Sequence, residues 1–218
     1  IKFPVQKFES IYKPNTLNKS NYQTYSAIFT VEFAMQLVNH IRNDHKDHFR
    51  IGIICPYKAQ ATLIEKLLSR VYNDDDKVEI LIGTIHGFQG DECDIIISVF
   101  NPPFGISKSP AMFLNKQNVL NVAISRARDY LFILMPDDHT QDVENLYRIK
   151  KIERLINNHA VGRLSVYNSE IVEEKLLGSN TYDNTFATTH QSVNVYSKPE
   201  KKYEIRCEEI AVDVQLKP

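Results

Sequence analysis

An excess of positive charge is missing from this chain: 26 Lys and Arg stand against 27 Asp and Glu, a formal net charge of −1. Proteins that hold nucleic acid unaided draw much of their affinity from neutralising phosphates, so this balance excludes a surface coated in basic residues. Any grip on a polyanion must run through a local track or be shared with another domain. Long apolar runs are missing too. The longest are about five to seven residues, against the roughly 20 needed to cross a bilayer, and no membrane partner is expected. Cysteine is scarce: Cys55, Cys93 and Cys207 lie far apart with no Cys-x-x-Cys pair, which reads as reduced, buried thiols in a cytoplasmic protein. The chain opens on Ile1 rather than Met, and no signal-like segment follows. It reads as a piece of something longer or a processed product.

What is present is enough for a real core. With 218 residues, 43% of them hydrophobic, one domain plus a small appendage is the natural reading. Residues 1–25 read as an extended lead-in. Thr30 is the expected N-cap of a first helix, whose apolar stripe is Phe33, Ala34, Leu37, Val38 and Ile41. "FRIGIICP" reads as a buried strand ended by Pro56. Leu63, Ile64, Leu67, Leu68 and Val71 mark a second amphipathic helix, and Asp74–Asp76 a solvated turn. "VEILIG" and "DIIISVF" are strands, "NVLNVAISRA" a helix, "YLFILMP" a strand, and about Asp142 to Asn157 a last helix. Strand runs apolar on both faces, alternating with helices, predict an α/β fold: a parallel sheet covered by helices on both sides. Ligands of such sheets are expected at loops beyond the carboxyl ends of the strands.

After Ala160 the character changes to a mildly acidic α+β appendage, residues 160–218. "NSEIVEEKLLG" predicts a short capped helix ending at Gly178. Tyr203, Ile205 and Cys207 share one strand parity, Ile210, Val212, Val214 and Leu216 the other, with a bulge or turn at Glu208–Glu209. His190 and the aromatics Tyr182, Phe186, Tyr196 and Tyr203 read as packing residues. His40, His45 and His48 sit at the polar end of a helix with alternating charges, which reads as a solvated face rather than a metal site.

Two segments carry chemistry. In "GTIHGFQGDECDIIISV", Gly83 to Val99, a His, a Gln, a Gly and carboxylates stand in the hinge between two strands. In "FLNKQNVLNVAISRARDYLFIL", Phe113 to Leu134, Asn118 and Asn121 precede Arg126 and Arg128. Two positions apart on one helix, these arginines cannot face the same partner. One is free to enter a cleft, and the other to anchor on a carboxylate such as Asp129 or Asp94. A guanidinium held beside a sheet end suits a polyphosphate, because its forked donors match phosphate oxygens and stay charged.

These segments, in this order and spacing, resemble motifs V and VI of superfamily 1 helicases, closest to the branch containing the RNA-surveillance helicase and the Okazaki-fragment helicase-nuclease. "IGIICPYKAQATLIEKLL" resembles the same family's motif IV. The resemblance spans roughly Ser26 to Asn157 and implies the second RecA-like domain of such a motor over residues 26–159. It implies that Thr84 and His86 face single-stranded nucleic acid, DNA or RNA. It further implies that Gln89, Gly90 and Glu92 face the nucleotide, with Tyr57 and Gln60 of motif IV also on the cofactor side, and that Arg126 is the arginine finger on the terminal phosphate. There are departures. Ser125 stands for the usual Thr, Asn118 and Val119 for two frequent basic residues, Ala61 for a frequent Arg, and Phe29 for an Asn three residues before Glu32.

No Gly-x-x-x-x-Gly-Lys-Ser/Thr loop and no Asp-Glu pair ahead of these motifs occur. The family carries both on the upstream first RecA-like domain, so ATP with Mg2+ is expected to be bound jointly with that domain, and this chain alone is expected not to hydrolyse it. The expectation is the C-terminal motor domain of an ATP-dependent helicase with 5′-to-3′ polarity. The alternative is a catalytically silent nucleic-acid-binding or regulatory module that kept the fold.

Overall fold

The computed structural model describes residues 1–3, 15–17, 20–44, 48–73, 77–88, 92–100, 115–137, 147–159, 164–177, 192–197 and 201–206. Its centre is a sheet of five parallel strands in the order β1-β7-β6-β4-β5: β1 (Lys2–Phe3), β4 (Phe49–Cys55), β5 (Val78–Thr84), β6 (Cys93–Val99) and β7 (Ala127–Pro136). A short antiparallel hairpin, β2 (Asn15–Leu17) and β3 (Ser20–Tyr22), stands apart from it.

Both faces of the sheet are covered, which is why its strands read as continuous apolar runs. On one face Ile51, Ile53, Ile95 and Ile97 pack under α1 (Thr24–Asp44) and α2 (Lys58–Leu68), whose buried stripes include Tyr25, Phe29, Val38, Ile41, Leu63 and Leu67. On the other face Ile54, Ile96 and Phe100 pack against Val119, Leu120 and Ala123 of α3 (Gln117–Ser125). The parallel α/β sheet expected from the alternation is the sheet found, and its architecture is RecA-like.

Consecutive parallel strands of one sheet usually need a helix to bring the chain back, and β5 and β6 lie on either side of β4. Between β5 and β6 the chain returns by a different device. A turn over residues 85–88 puts Phe88 against the sheet, where Gly52 and Gly83 leave room for its ring. A Cβ on Gly52 would meet Phe88 Cε1 at 2.9 Å and Ile96 Cδ1 at 2.5 Å, and one on Gly83 would meet Phe88 Cδ2 at 3.0 Å. These two glycines are required by close approach.

Several boundaries differ from the sequence expectation. The first helix begins at Thr24, so Thr30 is not its N-cap; it lies inside α1, with Oγ1 donating to the Ser26 carbonyl at 2.6 Å. The lead-in is not a uniformly extended arm, since β1 belongs to the main sheet and β2–β3 form a hairpin. The third helix ends at Ser125, and Arg128 lies on β7, so the two arginines do not share a helix. A last helix near the sheet, α4, runs Tyr147–His159; the expected start at Asp142 falls outside the described residues.

The appendage is fastened to the sheet edge. The Lys2 N–H donates to the Tyr167 carbonyl at 2.9 Å, Lys2 Nζ meets Glu153 Oε1 of α4 at 2.8 Å, and Asn168 Oδ1 accepts the Glu170 N–H at the start of α5 (Ser169–Leu177). Farther on, β8 (Ser192–Ser197) and β9 (Lys201–Arg206) pair antiparallel. The expected bulge at Glu208–Glu209 and the end of α5 at Gly178 lie outside the described residues.

Candidate functional site

The parallel sheet has two rims, and the residues singled out from the sequence divide between them. At the carboxyl rim, Cys55 stands opposite Thr84. The Ile85 N–H donates to the Cys55 carbonyl at 3.2 Å, and the Gly87 and Phe88 N–H groups both donate to the Thr84 carbonyl, at 2.8 and 3.1 Å. This tight turn leaves Thr84 half-buried and His86 exposed. Tyr57 sits at the same rim, in extended backbone (φ −122, ψ 138) just before α2. Burial pushes its phenol above the ordinary range, and its hydrogen bond with the Asn21 side chain works the other way.

The hairpin β2–β3, which the sequence reading passed over, organises this rim. Tyr57 gives α2 no side-chain cap; Ser20 Oγ of β3 accepts the Ala59 N–H instead, at 2.9 Å. Gln60 completes the joint. Its Oε1 accepts the Gln23 N–H at 2.7 Å, and its Nε2 donates to the Gln23 carbonyl at 3.4 Å and to Ser26 Oγ at 3.3 Å. The Gln60 residue is only 4% exposed, so its amide ties the first turn of α1 to α2 rather than facing an open cleft. The signal that could have found this is a Gln amid the apolar positions of an amphipathic helix, which burial obliges to find hydrogen-bond partners.

The amino rim holds the others. Glu92 precedes β6, and Arg126 is the C-cap of α3, immediately before β7. Their backbones meet: the Cys93 N–H donates to the Arg126 carbonyl at 3.0 Å. Arg126 is half-buried, and its Nε is enclosed with no hydrogen-bond partner among the described residues. A buried, unpaired donor on a guanidinium is costly and fits a site completed by an anionic oxygen. Tyr57 and Gln60 do not lie at this rim, contrary to the expectation that they join Glu92 on one cofactor surface. Thr84 and Tyr57 stand at the carboxyl ends of the strands, as expected of that segment, whereas Glu92 and Arg126 stand at the opposite ends. Gln89 and Gly90 lie outside the described residues.

The second residues of four neighbouring strands form an alternating charge row along this rim: Arg128, Asp94, Arg50 and Glu79. Arg128 Nη1 lies 3.5 Å from Asp94 Oδ1, the Arg50 N–H donates to Asp94 Oδ2 at 2.8 Å, and Arg50 Nε pairs with Glu79 Oε2 at 2.8 Å. Glu92 joins the row through Oε2, 3.4 Å from Arg128 Nε, and through its carbonyl, which accepts from Arg50 Nη1 at 3.0 Å. Asp94 as an arginine anchor was expected; the row was not. Its signal in the sequence is a charge one step inside the start of each apolar run. Cys55 and Cys93 are free, buried thiols, and no described helix is long and apolar enough to cross a membrane.

Comparison with known proteins identifies the family. A family model described as "AAA domain" matches residues 4–137. Helicase sen1 of Schizosaccharomyces pombe is 35% identical over 118 residues, 53% of this chain and 7% of that protein. The probable helicase senataxin of Homo sapiens is 34% identical over 113 residues, 51% of this chain and 4% of that protein. The DNA polymerase alpha-associated DNA helicase A of Saccharomyces cerevisiae is 31% identical over 113 residues, 50% of this chain and 15% of that protein. The chain thus spans 15% or less of the length of each of these relatives. With the family match covering more than half of its length and helicases among its relatives, the chain belongs to this AAA domain family and carries a superfamily 1 helicase-like domain.

Proposed function

We propose that this is the second RecA-like domain of a nucleotide-driven helicase, contributing Arg126 to the terminal phosphate and Thr84 and His86 to a single strand of DNA or RNA. The observation that carries the reading is the separation of the two rims. Arg126 and Glu92 share the amino rim through the Cys93–Arg126 backbone bond, while Thr84, His86 and Tyr57 gather at the other. A motor needs these tasks apart, so that closure around a nucleotide on one side alters the hold on a strand at the other.

Arg126 would stabilise charge developing on the phosphoryl group, the part of the work for which a fixed guanidinium is suited. Glu92 is placed to accept hydrogen bonds from hydroxyls beside it. Bound ATP with Mg2+ supplies the phosphoryl chemistry, and an upstream first RecA-like domain would hold it from the other side. Tyr57 moves in this reading from the nucleotide to the strand side, where its ring and His86 offer surfaces for bases.

The test is Arg126→Ala in the full-length protein, with turnover and nucleotide affinity measured separately. Loss of turnover by about 10³-fold or more, with affinity held within a few-fold, is the expected result. Turnover that survives the substitution rules out the finger role, and turnover that never appears in the unsubstituted protein favours a silent binding module instead.

A further inference from the structure

Arg128 has a task that the finger role of Arg126 leaves unassigned. Resting on the reading above, we propose that Arg128 is a positioning residue: it holds Glu92 and Asp94 away from Arg126, so that the Arg126 guanidinium stays uncommitted until a phosphate reaches it.

Proximity makes the danger real. Glu92 and Arg126 leave the backbone beside a shared hydrogen bond of 3.0 Å, and both side chains are long enough to meet. Left alone, a carboxylate and a guanidinium at that separation pair, and a paired guanidinium cannot fork onto phosphate oxygens. They do not pair here. Glu92 Oε2 goes to Arg128 Nε and Asp94 Oδ1 to Arg128 Nη1, while Arg126 Nε has no partner among the described residues.

The backbone is shaped for this arrangement. Between Cys93, which faces Ala127, and Ile95, which faces Tyr130, the register slips: Asp94 on β6 stands against both Arg128 and Asp129 on β7. Such a bulge re-aims a side chain, and here it follows Arg126 at once. Among the described residues the nearest other guanidinium of the row is differently engaged: Arg50 pairs through Nε with Glu79 and donates through Nη1 to the Glu92 carbonyl, while its backbone N–H goes to Asp94. Without Arg128, Glu92 would stand beside Arg126 without the guanidinium that now pairs with it.

The Arg128–Glu92 pair is about half exposed on both sides (52% and 54%), so its effect is a population bias rather than a lock. Arg128→Ala is expected to lower kcat about fivefold with KM for ATP moved by less than about twofold, and Arg128→Lys to recover part of the loss. In a Glu92→Gln background the Arg128→Ala penalty should shrink, since the captor is gone; simple additivity would overturn the proposal. A second readout needs no turnover. In the 218-residue chain, 15N NMR should show rotation about the Arg126 Nε–Cζ bond slowed by Arg128→Ala and freed again by adding Glu92→Gln. An Arg126 signal indifferent to Arg128 sinks this inference alone. If Arg126→Ala leaves turnover intact, the nucleotide-edge reading itself has failed.

Discussion

The Tyr25 hydroxyl donates to Glu173 Oε2 at 2.5 Å, joining the first turn of α1 to α5 across 148 positions of sequence. Both residues are buried, at 0% and 1% exposure, so the carboxylate depends on this donor for part of its compensation. Tyr25→Phe keeps the ring contacts with Phe3 and Phe29 but removes the hydroxyl. The expected cost is about 1–3 kcal/mol, read as a lowered thermal midpoint, with amide exchange in α5 rising first. An unchanged midpoint would mean that the bond contributes nothing to holding the appendage.

Among the described glycines, Gly52 leaves the least room for a side chain. Gly52→Ala places a methyl group 2.5 Å from Ile96 Cδ1 and 2.9 Å from Phe88 Cε1, and the ring of Phe88 must lift. Overpacking of this kind costs about 1–3 kcal/mol. Gly52→Ala combined with Phe88→Leu should cost less than the two substitutions summed, because the smaller side chain vacates the contact. Strict additivity in urea unfolding would say that the ring is not what the glycine accommodates.

The hairpin joint makes a prediction about Gln60. Removing its amide by Gln60→Ala leaves the Gln23 N–H and carbonyl without their partner inside a buried joint. Stability should fall by about 1–3 kcal/mol. Ser20→Ala, which deprives α2 of its cap, should cost about 1 kcal/mol. Denaturant midpoints measure both, and a Gln60→Ala protein as stable as the parent would contradict the joint.

Alkaline pH should unfold the chain early. Burial pushes the Cys55 thiol and the Tyr57 phenol up from ordinary values of 9.0 and 10.0. Below those values both groups are protonated folded and unfolded, and neither affects stability. Above them the unfolded chain releases its protons first, so it binds fewer than the folded chain and stability falls as pH rises. The urea midpoint should drop between about pH 8 and about pH 10.5, less steeply in Tyr57→Phe. Matching slopes for the two proteins would remove Tyr57 from the account. Thiol reagents should leave Cys55 and Cys93 untouched until the protein unfolds, since both are buried.

The doubly apolar runs of β4 and β6 announced a sheet covered on both faces, and the Thr84–His86 turn and Arg126 announced themselves as polar groups placed where packing did not need them. The hairpin left no such trace: Ser20, Asn21 and Tyr22 make too short a strand for alternation to register. Thr30 invited an N-cap because hydroxyls favour that position, yet its Oγ1 finds the Ser26 carbonyl within the helix, which local patterns do not reveal. Gln60 is satisfied 37 residues upstream, a partner that no window of sequence contains. The division between rims was hidden for a related reason. Glu92 follows Thr84 closely in sequence, yet Thr84 ends β5 and Glu92 precedes β6, and in a parallel sheet those two ends lie on opposite rims.

The sheet's first strand bears on where this protein can be cut. Phe3 is wholly buried, with its ring centroid 5.7 Å from that of Tyr25 and 4.9 Å from that of Phe29. The adjoining backbone of Lys2 is bound on its outer side by Tyr167. A fragment trimmed to residues 4–137, the limits of the family match, would discard the strand, the segment that seals it and the α5 helix docked on Tyr25. It would leave aromatic rings wet and a row of β7 amides open to any passing chain. Such a fragment is expected to self-associate, which gel filtration beside the 218-residue chain would show.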